Sequence, residues 1–105
     1  RLYPKSKAKK MNKILDHAVA RLSQKISHFD SVVKFSIIDE GVILLDKTGI
    51  STEEGPSEVT LTATADTFEK ILSGELSAMT AYMSEKLQVS GEMSVVMRLA
   101  RELRA

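Results

Sequence analysis

The chain has no cysteine among its 105 residues, which excludes disulfides and thiolate metal sites and agrees with a reducing compartment. A dominant charge is missing too. Fifteen Lys and Arg stand against fourteen Asp and Glu, a formal balance of +1, so no overall field draws the protein to nucleic acid or anionic lipid. No apolar run approaches the roughly 18 residues of a membrane span, and the N-terminus carries no hydrophobic secretion segment. A soluble, cytoplasmic protein is therefore expected. The chain opens on Arg1 rather than Met, which leaves room for an upstream piece.

Catalytic patterns are equally scarce. Glycines occur singly, never as a G-x-G-x-x-G or P-loop cradle for phosphate, and H-E-x-x-H spacing is absent. The two histidines, His17 and His28, project away from the apolar stripe of the helix that carries them, and neither has a partner for a triad or a metal site. Asp39 with Glu40, and Glu53 with Glu54, fall in a turn and a loop where water is the expected partner. The expectation is no enzyme, no cofactor and no metal.

What is present is a pattern of apolar residues. A chain of this size hides about two-thirds of the surface it would expose unfolded, enough for one core and one cavity. The opening "RLYPKSKAKK" holds four lysines and an arginine and reads as a solvated tail over residues 1–10, ahead of a single domain at 11–105. From Lys10 to Asp30, Met11, Ile14, Leu15, Ala18, Val19, Leu22, Ile26 and Phe29 recur every three or four positions, which predicts an amphipathic helix. In "SVVKFSII" the period becomes two, with Val33, Phe35 and Ile37 on one face of a strand. "DEG" turns into "VILLD", a strand apolar on both faces and so expected to be covered on both. Residues 47–57 read as a loop, and "EVTLTAT" as a third strand that completes a meander.

The last 40 or so residues alternate quickly between elements. Asp66 with Glu69 has capping-box spacing for a short helix that buries Phe68, Ile71 and Leu72 and ends at Gly74. Ser77 is placed to cap a second short helix with Met79, Tyr82 and Met83 at i, i+3 and i+4. "KLQVSG" returns to strand alternation. A final helix follows, with Met93, Val96, Met97, Ala100 and Leu103 on one face and Arg98, Arg101 and Glu102 away from it. Strands in a block with helices around them indicate an α+β sheet covered by helices.

Four of the five methionines (Met79, Met83, Met93 and Met97) lie in the last 27 residues, on faces expected to be buried. Methionine is unbranched and polarizable and follows irregular apolar shapes, so these residues suit either a filled core or a lipid-facing wall. Spacing alone does not separate the two. Phe35, Phe68 and Tyr82 stand in the same position, Tyr82 having a hydroxyl to offer a ligand head group.

From about Met11 to Leu103 the sequence resembles the sterol carrier protein type two family. The resemblance rests on "VTLTATADTFEKILSGELSAMTAYMSEKLQVSGEMSVVMRLA" at 59–100, where Gly74, Leu76, Ala81, Lys86, Leu87, Val89, Gly91 and Met93 match the family's pattern in order, and on "GVILLD" at 41–46. Ala78, Met79, Tyr82 and Glu85 depart from it, standing where the family usually has proline, a polar residue, phenylalanine and glycine. The C-terminal "ELRA" lacks the S-K-L-like tripeptide that sends some relatives to peroxisomes.

The resemblance implies a five-stranded, mostly antiparallel sheet whose helices enclose a hydrophobic tunnel. It also implies a non-catalytic carrier of a sterol, fatty acid, acyl-CoA or phospholipid. Under it the floor is Val33, Phe35, Ile37 and Leu61, and the walls are Phe68, Ile71, Leu72, Met79, Tyr82, Met83, Met93, Val96, Met97 and Ala100. The expected partners are that lipid and a transient membrane contact, with no nucleic acid; Arg98, Arg101 and Arg104 read first as a solvated face, and attraction of anionic head groups or membrane is the alternative. The alternative is an accessory module that presents a lipid or isoprenoid to a partner enzyme or membrane complex.

Overall fold

The computed structural model describes residues 13–104, except for the side chain of Arg104. The basic decapeptide, Met11 and the Arg104 side chain, all of which carry expectations from the sequence, lie outside the described part of the chain.

Helix α1 spans Lys13–Lys25 and buries Leu15 and Leu22, with Ala18 and Val19 packed beside them. Its expected end at Asp30 is too late. Beyond Lys25 the Phe29 amide donates to the Asp46 carbonyl at 3.0 Å, which ties the chain to the sheet while Ile26 and Phe29 remain buried. Ile14, predicted on the buried stripe, is 47% exposed.

Five strands follow: β1 (Val33–Ile37), β2 (Gly41–Asp46), β3 (Gly49–Ser51), β4 (Val59–Ala63) and β5 (Gln88–Gly91). Their spatial order is β3-β2-β1-β4-β5, with β1 and β4 parallel and the other neighbours antiparallel. The predicted meander is therefore corrected. β3, inside the segment read as a loop, pairs with β2 through Leu44↔Ser51 and Asp46↔Gly49. With that edge occupied, the chain crosses back and β4 joins the other side of β1, in the register Phe35↔Leu61. Three residues are too short a run to give a period-two signal.

Alternation assigns the faces. Val33, Phe35 and Ile37, Ile43 and Leu45, and Val59, Leu61 and Ala63 all point into one core cluster with the buried residues of the helices. On the other face the crossing segment covers β1 and β2: Lys34 Nζ meets Glu54 Oε2 at 2.6 Å, and Leu44 lies half-buried against Gly55. This explains why β2 is apolar on both sides.

Three helices complete the fold: α2 (Ala65–Ser73), α3 (Ala78–Met83) and α4 (Met93–Arg104). Thr64, not Asp66, caps α2; its side chain accepts from the Thr67 amide at 3.2 Å. Thr64 is still extended where β4 ends, so Asp66 already lies inside the first turn, where it pairs with Lys70 at 3.4 Å. Glu69 instead meets Arg21 at 2.8 Å and His17 at 3.2 Å, joining α2 to α1. Gly74 ends α2 at φ 88°, and Ser77 caps α3 by accepting from the Thr80 amide at 3.0 Å. Gly91 sits at φ 117°, where a Cβ would lie 2.3 Å from the Glu58 carbonyl oxygen, so only glycine lets β5 approach β4 here.

Candidate functional site

An apolar cleft lies between the sheet and the three later helices. Phe35 of β1 and Leu61 of β4 form its floor, and Phe68, Ile71 and Leu72 come from α2. Ala78 comes from α3, Leu87 from the approach to β5, and Val96, Leu99, Ala100 and Leu103 from α4. The 3.6-residue period of α2 and α4 turns these side chains inward together. Phe35 and Phe68 meet edge to face, with centroids 5.8 Å apart and an interplanar angle of 77°.

Every lining residue is apolar, so the cleft offers no base, nucleophile or ion partner. Its volume, about 30 Å³, is that of a single water and far below the several hundred Å³ of a small-molecule pocket. A hydrocarbon chain enters only if the helices above it yield. Among the described residues no group of three or more His, Cys, Asp or Glu is placed to hold a metal ion.

The predicted site residues divide. Phe35, Leu61, Phe68, Ile71, Leu72, Val96 and Ala100 meet at the cleft. Val33 and Ile37 are buried in the core without lining it. Met79, Tyr82, Met83, Met93 and Met97 are 51, 42, 73, 39 and 47% exposed, and they are not on the buried faces that periodicity assigned to them.

In α3 the inward residues are the small ones, Ala81 and Ala78, so its longer side chains point out. In α4 the helix is rotated by about one position relative to the expected face, and Val95 and Leu99 are its deepest residues. Arg98 packs in keeping with that rotation. Its Nη2 donates to the buried Ser31 hydroxyl at 3.0 Å, its Nη1 pairs with Asp30, and its guanidinium lies 5.4 Å from the Phe29 ring centre. Arg98 is thus engaged within the protein, whereas Arg101 is exposed.

Ala78, Leu87, Leu99 and Leu103 are cleft residues that the sequence-based site left out. For Leu87 and Leu103 the apolar face was readable and only the role was missed. For Leu99 the signal was its i+4 spacing from Val95, a second stripe overlapping the methionine one.

A helix-covered sheet with an all-apolar cleft between its layers defines a small α+β domain. Residues 11–104 match the model of the SCP-2 sterol transfer family, and the chain belongs to that family. Membership places it among lipid-binding and lipid-transfer domains.

Solved structures share the fold. Sterol carrier protein 2 from Aedes aegypti in complex with the C16 fatty acid palmitate is 22% identical, with a TM-score of 0.64 over 87% of this chain and 91% of that one. The apo sterol carrier protein 2 of Yarrowia lipolytica is 16% identical, with a TM-score of 0.63 over 90% and 77%. A ubiquinone synthesis protein, UbiJ-SCP2, is 17% identical, with a TM-score of 0.55 over 86% and 77%. No curated protein matches the sequence. No helix among the described residues is long and apolar enough to cross a membrane.

Proposed function

We propose that the protein is a non-catalytic, cytoplasmic lipid carrier that holds the hydrocarbon part of a fatty acid, sterol, acyl-CoA or phospholipid between its sheet and helices α2 to α4. The observation that carries this reading is the cleft whose whole wall is apolar. Burial contributes about 0.8 kcal/mol per methylene, so a long chain binds without an ion pair once the ordering cost is met. Phe35, Leu61, Phe68, Ile71, Leu72, Val96 and Ala100 are the deep wall in this reading. Met93 and Met97 lie next to Val96 and Ala100 on the α4 surface, and Met79 and Tyr82 next to Ala78 on α3. They form the mouth, where flexible thioethers follow a chain as it enters.

The test is native purification with mass spectrometry of the bound lipid, followed by exchange of that lipid between vesicles. Ala100→Trp fills the cleft and is expected to abolish uptake at a stability cost of about 1–3 kcal/mol. Met83→Trp, at a position 73% exposed, is expected to leave uptake unchanged. Equal uptake by Ala100→Trp and the wild type would remove the cleft as the site.

The fold shared with a ubiquinone synthesis protein supports a second reading, an accessory module that presents a lipid or isoprenoid to a partner enzyme. Recovery of a stable protein partner without exchange of lipid between vesicles favours it over the carrier.

A further inference from the structure

The chain has no thiol, so its soft sulfur is all thioether, and none of the four described methionines belongs to the buried core. Their settings differ. At about 100° per residue, a turn round α4 from its core side passes Val95 and Leu99, then the cleft-lining Leu103, Val96 and Ala100, and then Met93 and Met97. Met93 stands about 20° beyond Ala100, and Met97 about 60° beyond it. These two side chains therefore border the cleft, one helical turn apart. On α3 the same geometry puts Met83 about 140° from the cleft-lining Ala78, and Met83 is 73% exposed. It faces solvent and not the cleft.

Neither border residue is shielded. Met93 and Met97 are 39 and 47% exposed, so an oxidant dissolved in water reaches both. Oxidation turns a flexible apolar thioether into a polar sulfoxide. At this border the change falls where hydrocarbon enters, and it lies outside the core cluster that holds the fold.

We propose that Met93 and Met97 form a reversible oxidation site that closes the cleft to hydrocarbon. The inference rests on the lipid-binding reading above and names how its site is regulated. The reactant is a two-electron oxidant of the peroxide class. A sulfur lone pair attacks one oxygen of hydrogen peroxide, the S–O bond forms as the O–O bond breaks, and the other oxygen leaves with both protons as water. The sulfur gives up two electrons and the peroxide gains them. Each sulfoxide then sets a strong dipole beside Ala100, where an entering chain would otherwise find apolar contact. Methionine sulfoxide reductases, one for each epimer, reverse the step with a dithiol: the sulfoxide oxygen leaves as water and the dithiol becomes a disulfide.

The experiment treats the delipidated protein with hydrogen peroxide, removes the excess with catalase, locates each sulfoxide by peptide mass spectrometry and titrates palmitate. Sulfoxide is expected at Met93 and Met97 with the far-UV circular dichroism unchanged. Palmitate should bind about four- to fifteenfold more weakly, the effect of losing one to two methylenes' worth of apolar contact. The two reductases with dithiothreitol should restore binding. A double variant, Met93→Leu with Met97→Leu, compared with its own untreated form, should change by less than about twofold. Met83→Leu should lose as much as the wild type. Four results overturn the oxidation site and leave the lipid-binding reading intact: no sulfoxide at Met93 and Met97, unchanged palmitate binding with both oxidised, an equal loss in the double variant, or a loss of helical signal on oxidation. Failure of the untreated wild type to bind palmitate removes both.

Discussion

The two ends of the molecule use apolar residues differently. On the α1 side, Leu22, Val33, Ile43 and Leu45 are at most 2% exposed, and α1 is tied to α2 through Arg21 and Glu69 at 2.8 Å. On the α3 and α4 side, a six-residue helix buries only Ala81 fully, four methionines stand 39 to 73% exposed, and the cleft lies open between the layers. The first end is a firm frame that sets strand register. The second leaves its longest apolar side chains at the surface, outside a buried layer of Phe68, Leu72, Val95 and Leu99. A carrier needs both: a tight core that keeps it folded and a wall that gives way to its cargo.

The sharpest way to break this comparison is to make the same truncation at each end. Leu45→Ala removes a side chain that is 0% exposed in the frame, and a loss of about 3–5 kcal/mol is expected in denaturant unfolding, with no special recovery on adding palmitate. Leu99→Ala truncates a residue that is 1% exposed but lines the cleft, so a smaller loss of about 2–4 kcal/mol is expected. Palmitate should offset part of it by binding the enlarged space, since a ligand that binds only the folded state stabilises it. If palmitate stabilised the two variants equally, the cleft would be no more receptive than the frame.

The same division explains what could be read from the sequence. The frame was legible because β1 and β4 alternate cleanly and α1 carries a single apolar stripe, so period fixed the type of each element and its buried face, Ile14 excepted. The pairing was not legible, since the parallel union of β1 and β4 depends on β3, a strand of three residues. At the loose end, α4 offers two overlapping stripes, one through Met93 and Met97 and one through Val95 and Leu99. The buried stripe is the one that packs on the distant core, and on it Arg98 reaches Asp30 and Ser31, some 67 residues away in sequence. No local pattern carries that information. In α3, hydrophobicity pointed to Met79 and Met83 where close packing required the small Ala78 and Ala81.

A smaller effect is expected at the junction between α3 and β5. Glu85, which stands where the family usually has glycine, adopts the left-handed conformation itself at φ 67°. The substitution therefore keeps the turn and makes it costlier, by roughly 1–2 kcal/mol for a residue with a Cβ. Glu85→Gly is expected to raise stability by about 0.5–1 kcal/mol, less than the full strain because glycine also loosens the unfolded chain. A thermal melt lower than the wild type's would mean that the left-handed turn is not where the loose end stores strain.

The smallest effect belongs to the frame and depends on pH. In the β2–β3 turn the Asp46 carboxylate accepts from the Thr48 hydroxyl at 2.6 Å and from the Thr48 amide at 2.9 Å. These bonds, the hydroxyl's first and the amide's second, favour the charged form and hold the carboxyl below its ordinary value of 3.8. A group whose pKa is lower in the folded state than in the unfolded one adds stability that is fully present above the unfolded value. That stability is lost as the pH falls through the folded value. Asp46→Asn, which keeps an acceptor but no charge, is therefore expected to be less stable than the wild type at pH 6, and the gap should narrow toward pH 3. The gap is small because the carboxylate faces water. A gap of the same size at both pH values would mean that the turn depends on the shape of the side chain and not on its charge, and the frame would then owe nothing to ionisation at this corner.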